Sequence, residues 1–161
     1  MTVPALDPET REFWQHLGTA ILCGGIIGIE RQLRGKAAGI RTSILICLGT
    51  AIFVALGASL APGTADPTRV LAQVVSGIGF LGGGVILARK GLVTGVTSAA
   101  VIWMLAALGA MIGLGHLRAT MVLTLATLGI LIGVELLESA FRKLRDGATD
   151  RELANIEIEQ G

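Results

Sequence analysis

Long parts of this sequence lack charged residues. Asp, Glu, Lys and Arg make up 16% of the 161 residues, hydrophobic residues make up 52%, and the mean hydropathy is +0.73. Five stretches contain no charge at all: 13–29, 42–65, 70–88, 91–115 and 119–134. A helix needs about 20 apolar residues to cross roughly 30 Å of hydrocarbon, and a surface helix of a soluble protein would interrupt them with a polar face. The composition therefore excludes an ordinary soluble domain and favours a bundle of helices in lipid.

Cysteine is scarce as well. Cys23 and Cys47 lie inside the first two stretches, without the paired spacing of a zinc site or the framework of an extracellular disulfide-rich domain. We interpret them as apolar packing residues. The first residues carry Asp7, Glu9 and Glu12 rather than a basic leader, so we expect no cleavable signal peptide and a first helix that stays in the protein.

The sequence also lacks the groups that catalysis inside a bilayer needs. Hydrolysis there requires a nucleophile beside a base, or two carboxylates at depth. His16 and His116 are isolated, Ser76 has no histidine near it in the sequence, and no Asp or Glu lies within the five stretches. We therefore expect no enzymatic activity, no cofactor and no nucleic-acid partner.

Positive charge is concentrated in alternate connecting segments. Counted on the two sides of five spans, ten of the 13 Lys and Arg residues fall on one side. Short loops rich in Lys and Arg remain in the cytoplasm. The sequence thus predicts an all-α integral membrane protein with about five transmembrane helices, its N-terminus outside and its C-terminus cytoplasmic. Residues 1–138 would form the transmembrane domain, and residues 139–161 a short polar cytoplasmic tail.

Four short motifs are typical of helix N-termini. Asp7-Pro8 and Asp66-Pro67 each place a carboxylate before a proline, and Thr42-Ser43 and Thr97-Ser98 place hydroxyls where the second and fourth spans begin. Such side chains accept hydrogen bonds from the free N–H groups of the first turn. We predict helix caps at all four.

Glycine is abundant, with 23 residues, and many of them are spaced four apart. The pairs are Gly24/Gly28, Gly79/Gly83, Gly109/Gly113 and Gly129/Gly133. Because lipid provides little hydrophobic drive between helices, such ridges of small residues are predicted to be packing surfaces, within the chain or between copies. The segment 77–82 formally matches a dinucleotide-binding fingerprint, but that fingerprint needs a preceding strand in a soluble unit, so close packing is the interpretation.

Ionisable residues at the edge of a membrane are often functional. Glu30 and Arg31 end the first span, and Arg41 begins the second. Glu30 would pair with Arg34 on the next turn or with Arg41 across the hairpin; ordinary interfacial loop charges are the alternative. Glu30 and Asp66 are candidate metal ligands, but the sequence does not define a complete metal site around them.

Four segments together resemble the MgtC/SapB family of bacterial inner-membrane proteins. They are GGIIGIERQ at 24–32, AGIRTS at 38–43, DPTRVLAQVVSGIGFLGGGVIL at 66–87 and VTGVTSAAVIWMLAALG at 93–109. The family pattern falls on Glu30, Arg31, Gln32, Gly39, Arg41, Thr42, Asp66, Arg69, Gly77, Gly79, Phe80, Gly82, Gly84, Gly95, Thr97, Ala99, Ala100 and Trp103. Longer family members add a soluble cytoplasmic domain that we expect to be missing here.

The resemblance implies a multi-pass protein of the bacterial cytoplasmic membrane, connected with magnesium homeostasis and adaptation to low magnesium. Some members restrain the F-type ATP synthase or other membrane proteins. We therefore expect a non-enzymatic regulator whose partners are the lipid bilayer and other membrane proteins, and a homo-oligomer formed through glycine-rich helices. The alternative is a transporter or channel with Mg²⁺ as its ligand or transported ion. Mg²⁺ prefers an octahedral set of oxygen ligands. Along a path for the ion, only Glu30, Asp66, Glu135 and the backbone of the glycine run would provide such ligands.

Overall fold

The computed structural model describes residues 4–60, 68–89 and 92–159, with the backbone alone at residue 140 and from residue 142 onward. A short 3-10 helix, Pro4–Leu6, comes first. The α-helices are α1 (Arg11–Leu33), α2 (Ile40–Ser59), α3 (Thr68–Gly84), α4 (Val96–Gly113) and α5 (Leu117–Glu159). Between α3 and α4 lie two short strands, β1 (Leu87–Arg89) and β2 (Leu92–Thr94). The predicted set of five helices is confirmed for this part of the chain.

Three of these helices are long and apolar enough to cross a membrane: α2, α4 and the segment Leu117–Ser139 of α5. The 20 residues of α2 span about 30 Å, the thickness of the hydrocarbon core. Helix α1 is longer but carries Arg11 and Glu12 at one end and Glu30 and Arg31 at the other. Helix α3 has 17 residues, the lower limit for a span. Five crossings and the orientation of the termini stay predictions.

The chain divides into two units, residues 1–125 and 126–161. In the first unit α2 is central and packs against both α1 and α4, whereas α3 packs mainly against α4. The buried cysteines Cys23 and Cys47 are unpaired, as expected of packing residues. The described part of the second unit is the continuation of α5 to Glu159. The predicted boundary between a transmembrane domain and a tail stays a prediction.

Two of the predicted glycine pairs lie where helix backbones approach most closely. A Cβ atom added to Gly24 would lie 2.7 Å from the backbone of α2, and one added to Gly28 would lie 2.6 Å from it. Gly109 and Gly113 of α4 meet the α2 backbone in the same way. Any larger residue would force these helices apart, so the prediction of internal packing surfaces is confirmed for both pairs. The pairs on α3 and α5 have no described atom within 4 Å of their added Cβ positions, so for these two the prediction of a packing surface stays a prediction.

The hairpin of β1 and β2 shortens two predicted spans. Leu87 pairs with Thr94 and Ala88 with Val93 in antiparallel register. The helical part of the stretch 70–88 therefore ends at Gly84, and that of the stretch 91–115 begins only at Val96, so the predicted spans are wrong at these ends. Hydropathy measures apolar character alone, whereas the β-branched residues of the hairpin and the glycines that flank it favour extended backbone and a turn.

The predicted helix caps are wrong at the three motifs that the structure describes. The cap of α1 is Thr10, whose hydroxyl accepts a hydrogen bond in the first turn, three residues after Asp7. Helices α2 and α4 begin after Gly39 and Gly95, which have no side chain to accept one. The hydroxyl pairs of the prediction lie inside the first turn of each helix, too late to cap it. The motif Asp66-Pro67 lies outside the described residues.

Candidate functional site

A buried polar cluster lies where the last turns of α1 meet the first turn of α4. Glu30 is 7% exposed and Arg31 is 3% exposed. The Nη2 atom of Arg31 donates a hydrogen bond to the Oγ atom of Ser98 at 2.7 Å, and Ser98 is itself buried. This bond joins two residues that are 67 positions apart in the chain and ties the end of α1 to the start of α4.

Two ion pairs complete the cluster. The Oε1 atom of Glu30 lies 2.7 Å from the Nε atom of Arg34, one turn further along α1. Its Oε2 atom lies 4.0 Å from the Nη1 atom of Arg31. Of the two partners that the sequence offered for Glu30, the structure confirms Arg34, whereas Arg41 is exposed at the start of α2.

Burial disfavours the charged form of Arg31, which lies beyond Ile29, the end of the first apolar stretch. Burial lowers the pKa of its guanidinium. The charge of Glu30 raises this pKa, and the charge of Arg34 lowers it. The N-terminal end of α4 carries a partial positive charge, which adds to the charges of Arg31 and Arg34. Glu30 lies within 4.0 Å of both guanidinium groups and offsets their charge.

The cluster also contains one acceptor and one donor that lack a hydrogen-bond partner among the described residues. The Oε2 atom of Glu30 and the Nε atom of Arg31 are buried and make no hydrogen bond within the described residues. An unsatisfied buried polar atom costs about 1–3 kcal/mol, so such atoms are uncommon in folded proteins and are frequent at functional positions.

The turn between α1 and α2 is organised by Gln32 and Gly39. The Oε1 atom of Gln32 accepts a hydrogen bond from the backbone N–H of Ile40 at 3.3 Å. Gln32 thereby provides from α1 the cap that Gly39 cannot provide for α2. A Cβ atom on Gly39 would lie only 3.1 Å from that same oxygen, so glycine leaves the room that the cap requires.

The start of α4 depends on Gly95. Its φ angle is +91°, in the left-handed region that favours glycine, and an added Cβ atom would overlap the carbonyl oxygen of Val85. In the last turn of α3, Gly82 is buried against Ala99 of α4. These two glycines let the hairpin fold back so that α3 and α4 lie side by side.

The other residues of the family pattern do not join this cluster. Most are exposed, on three different helices: Arg41, Thr42, Arg69, Gly77, Gly79, Phe80, Gly84, Thr97, Ala100 and Trp103. Asp66 lies outside the described residues. The functional roles predicted for this set stay predictions.

Ser98 is the member of the cluster that the sequence analysis missed, because it was predicted only as a cap. Its place in the first turn of an apolar helix gave no sign of a partner on α1. Only the fold brings Ser98 and Arg31 together.

No three His, Cys, Asp or Glu side chains in the described parts of the chain lie close enough together to hold a metal ion. Of the two candidate metal ligands, Glu30 is described, and its carboxylate pairs with Arg34.

Comparison with known proteins identifies the family. Residues 17–140 match the MgtC family. "Protein MgtC" of Brucella abortus (strain 2308) is 44% identical over 136 residues, which are 82% of this chain and 56% of that protein. "Putative magnesium transporter YhiD" of Escherichia coli (strain K12) is 46% identical over 113 residues, 66% of this chain and 53% of that protein. "Protein MgtC" of Salmonella typhimurium (strain LT2) is 42% identical over 114 residues, which are 70% of this chain and 48% of that protein.

The chain spans about half the length of the curated relatives it matches. No solved structure matches it. The match to the family includes both sides of the polar cluster, the end of α1 and the start of α4. With its apolar helices, this match indicates a membrane protein, and the chain belongs to the MgtC family.

Proposed function

We propose that this chain is a membrane protein of magnesium homeostasis that acts without catalysis, by binding other membrane proteins through the exposed face of α3. The link with magnesium is supported by the family resemblance and by the name of the Escherichia coli relative. The cytoplasmic membrane of a bacterium is the proposed location, with the N-terminus outside.

The observation that carries this proposal is a ridge of small residues on α3. Ala72, Ser76, Gly79 and Gly83 follow one another at intervals of four, three and four residues, the spacing of one helix face, and all four are exposed. Neither glycine has a described atom within 4 Å of an added Cβ position. Phe80, beside the ridge, is 85% exposed.

A ridge of this kind suits a helix partner. Helices in lipid associate through close backbone approach, and the glycine pairs on α1 and α4 are both occupied by α2. The pair Gly129/Gly133 on α5 is also exposed, but the run of small residues on α3 is longer. The exposed residues Val122 and Leu125 of α5 are large by comparison. The specific partner that the resemblance suggests is the membrane part of the F-type ATP synthase; a second copy of this chain is the other partner that the ridge would suit.

The test is site-specific photocrosslinking in bacterial membranes. A photoreactive residue at position 80 should give one defined adduct with a membrane protein, identified by mass spectrometry, and the same residue at Val122 should give none. The substitution Gly79→Leu should abolish the adduct and the growth that the chain supports at low magnesium, at unchanged abundance. Equal adducts from both positions, or growth unaffected by Gly79→Leu, would overturn the proposal.

Transport of a divalent cation is the second candidate, favoured by the name of the Escherichia coli relative and by the buried carboxylate of Glu30. Purified protein in sealed liposomes loaded with a magnesium-sensitive dye distinguishes the two functions. If the chain is a regulator, Mg²⁺ should enter liposomes that contain it no faster than liposomes without protein. Entry that is abolished by Glu30→Gln or Asp66→Asn would instead establish transport and displace the regulatory proposal.

A further inference from the structure

An apolar groove runs between α2 and α3, on a different face of α3 from the small-residue ridge. Its volume is about 570 Å³, within the range of about 300–1,000 Å³ that is typical of ligand sites. The α2 side extends from Thr42 to Phe53, and the α3 side from Val70 to Leu81. Most of the remaining lining residues are also apolar.

The groove exists because both helices lack a side chain at its middle. Gly49 of α2 and Gly77 of α3 both line it, and neither has a described atom within 4 Å of an added Cβ position. At the other end the helices touch, since an added Cβ on Gly57 would lie 2.5 Å from the side chain of Val70. The groove is therefore closed by contact beyond Phe53.

The dimensions of the groove favour a single hydrocarbon chain. The eleven helical steps from Thr42 to Phe53 correspond to a length of about 16 Å, about half the roughly 30 Å of a hydrocarbon core and so the depth of one leaflet. The volume divided by this length gives a cross-section of about 35 Å², whereas a helix about 10 Å wide occupies about 80 Å². The groove is therefore too narrow to hold a whole helix, and a single acyl chain matches its cross-section better.

A positively charged residue lies next to the Thr42 end of the groove. Thr42 lines this end, and Arg41, the residue before it, is exposed. Both lie in the first turn of α2, where free N–H groups and the positive end of the helix dipole favour an anion. In the predicted orientation this end faces the cytoplasmic leaflet, the side where anionic lipids and basic residues attract each other.

We propose that the groove binds one acyl chain of an anionic phospholipid, with the lipid phosphate at Arg41 and Thr42. The acyl chain lies along Gly49 and Gly77 and ends near Phe53. The site does not depend on the partner-binding ridge, which occupies another face of α3.

A phospholipid that carries a photoreactive diazirine in its acyl chain tests this site. The full chain is reconstituted in vesicles of phosphatidylglycerol or of phosphatidylcholine, and the labelled peptides are mapped by mass spectrometry. Label should concentrate on groove residues of α2 and α3, with several-fold more in phosphatidylglycerol. Gly77→Leu, which fills the groove, should reduce this label several-fold. Gly18→Leu, at an equally open glycine of α1, should leave it unchanged.

The headgroup contact has its own test. Arg41→Gln should lower the labelling from phosphatidylglycerol by about fivefold, the factor expected for one basic residue at an anionic surface, and should leave labelling from phosphatidylcholine unchanged. Because Arg41 is exposed, this variant remains informative if Gly77→Leu fails to fold. Label spread evenly over exposed apolar residues, insensitivity to both variants, or crosslinks between two copies of the chain in the groove would each overturn the proposal.

Discussion

Replacing Ser98 by alanine removes the acceptor to which Arg31 donates at 2.7 Å in the buried cluster. The guanidinium, already without a partner at Nε, then loses its bond at Nη2 as well. Hydrogen bonds to charged groups contribute about 1.5–3 kcal/mol, and a buried donor left without a partner costs about as much. We therefore expect Ser98→Ala to lower the free energy of unfolding by about 2 kcal/mol.

The neighbouring residue provides a matched control. Thr97 is exposed in the same first turn of α4, and its replacement by alanine should change the free energy of unfolding by less than about 0.5 kcal/mol. Both substitutions raise helix propensity by a similar small amount, so the difference between the two variants measures the bond to Arg31.

The measurement is a denaturant titration of the full chain in mixed micelles, followed by the fluorescence of Trp14 and Trp103. A double-mutant cycle isolates the pair: once Arg31→Met has removed the donor, Ser98→Ala should cost less than about 0.5 kcal/mol. If Ser98→Ala is no more destabilising than Thr97→Ala, or is as destabilising with Met at position 31 as with Arg, the assigned contact does not hold α1 to α4.

Three further predictions follow from the packing and the turns. Gly109→Ala should lower the free energy of unfolding by about 1–3 kcal/mol, because the added methyl group meets the carbonyl of Cys47. Gly18→Ala, at an open position, should not lower it. Thermal melts in detergent compare the two variants. Ala38→Gly should raise the melting temperature, since Ala38 has a φ angle of +61°, and relief of about 1 kcal/mol is expected; a lower melting temperature would contradict this. Gln32→Ala should lower the free energy of unfolding by about 1 kcal/mol, because α2 loses its cap. Gln32→Glu keeps an acceptor, so in the same denaturant titration its free energy of unfolding should be close to that of the unchanged chain.

The sequence predicted the elements of this fold better than their ends. Charge-free stretches identified five helices because burial in lipid requires apolar residues on every face. The same criterion could not separate the hairpin around Leu87–Thr94 from a helix, because an extended apolar segment has the same hydropathy as a helical one. The caps were mispredicted for a related reason: hydroxyls and carboxylates were sought, but α2 is capped by Gln32, eight residues before Ile40.

In the candidate site, contacts between residues close in sequence could be predicted, whereas contacts between distant residues could not. The pair of Glu30 with Arg34 could be predicted, because residues one turn apart on a helix are always neighbours. The bond of Arg31 to Ser98 could not, because it depends on how α1, α2 and α4 pack. The spacing of the glycine pairs indicated close packing, but it could not distinguish the pairs that pack against α2 from the exposed pairs on α3 and α5.

The glycine run of α3 shows why one sequence motif can serve several neighbours. Successive helical residues are rotated by about 100°, so Gly77 lies on a different face from Gly79, whereas Gly82 lies near the edge of the face of Gly79, one turn further along the helix. Gly77 lines the groove toward α2, Gly82 is buried against α4, and Gly79 lies on the exposed ridge. Interpreted as a single packing segment, the run would predict similar effects for leucine at all three positions. The structure predicts instead that Gly82→Leu destabilises the fold, Gly77→Leu removes lipid labelling and Gly79→Leu removes the protein adduct, so three variants of one helix separate packing, lipid binding and partner binding.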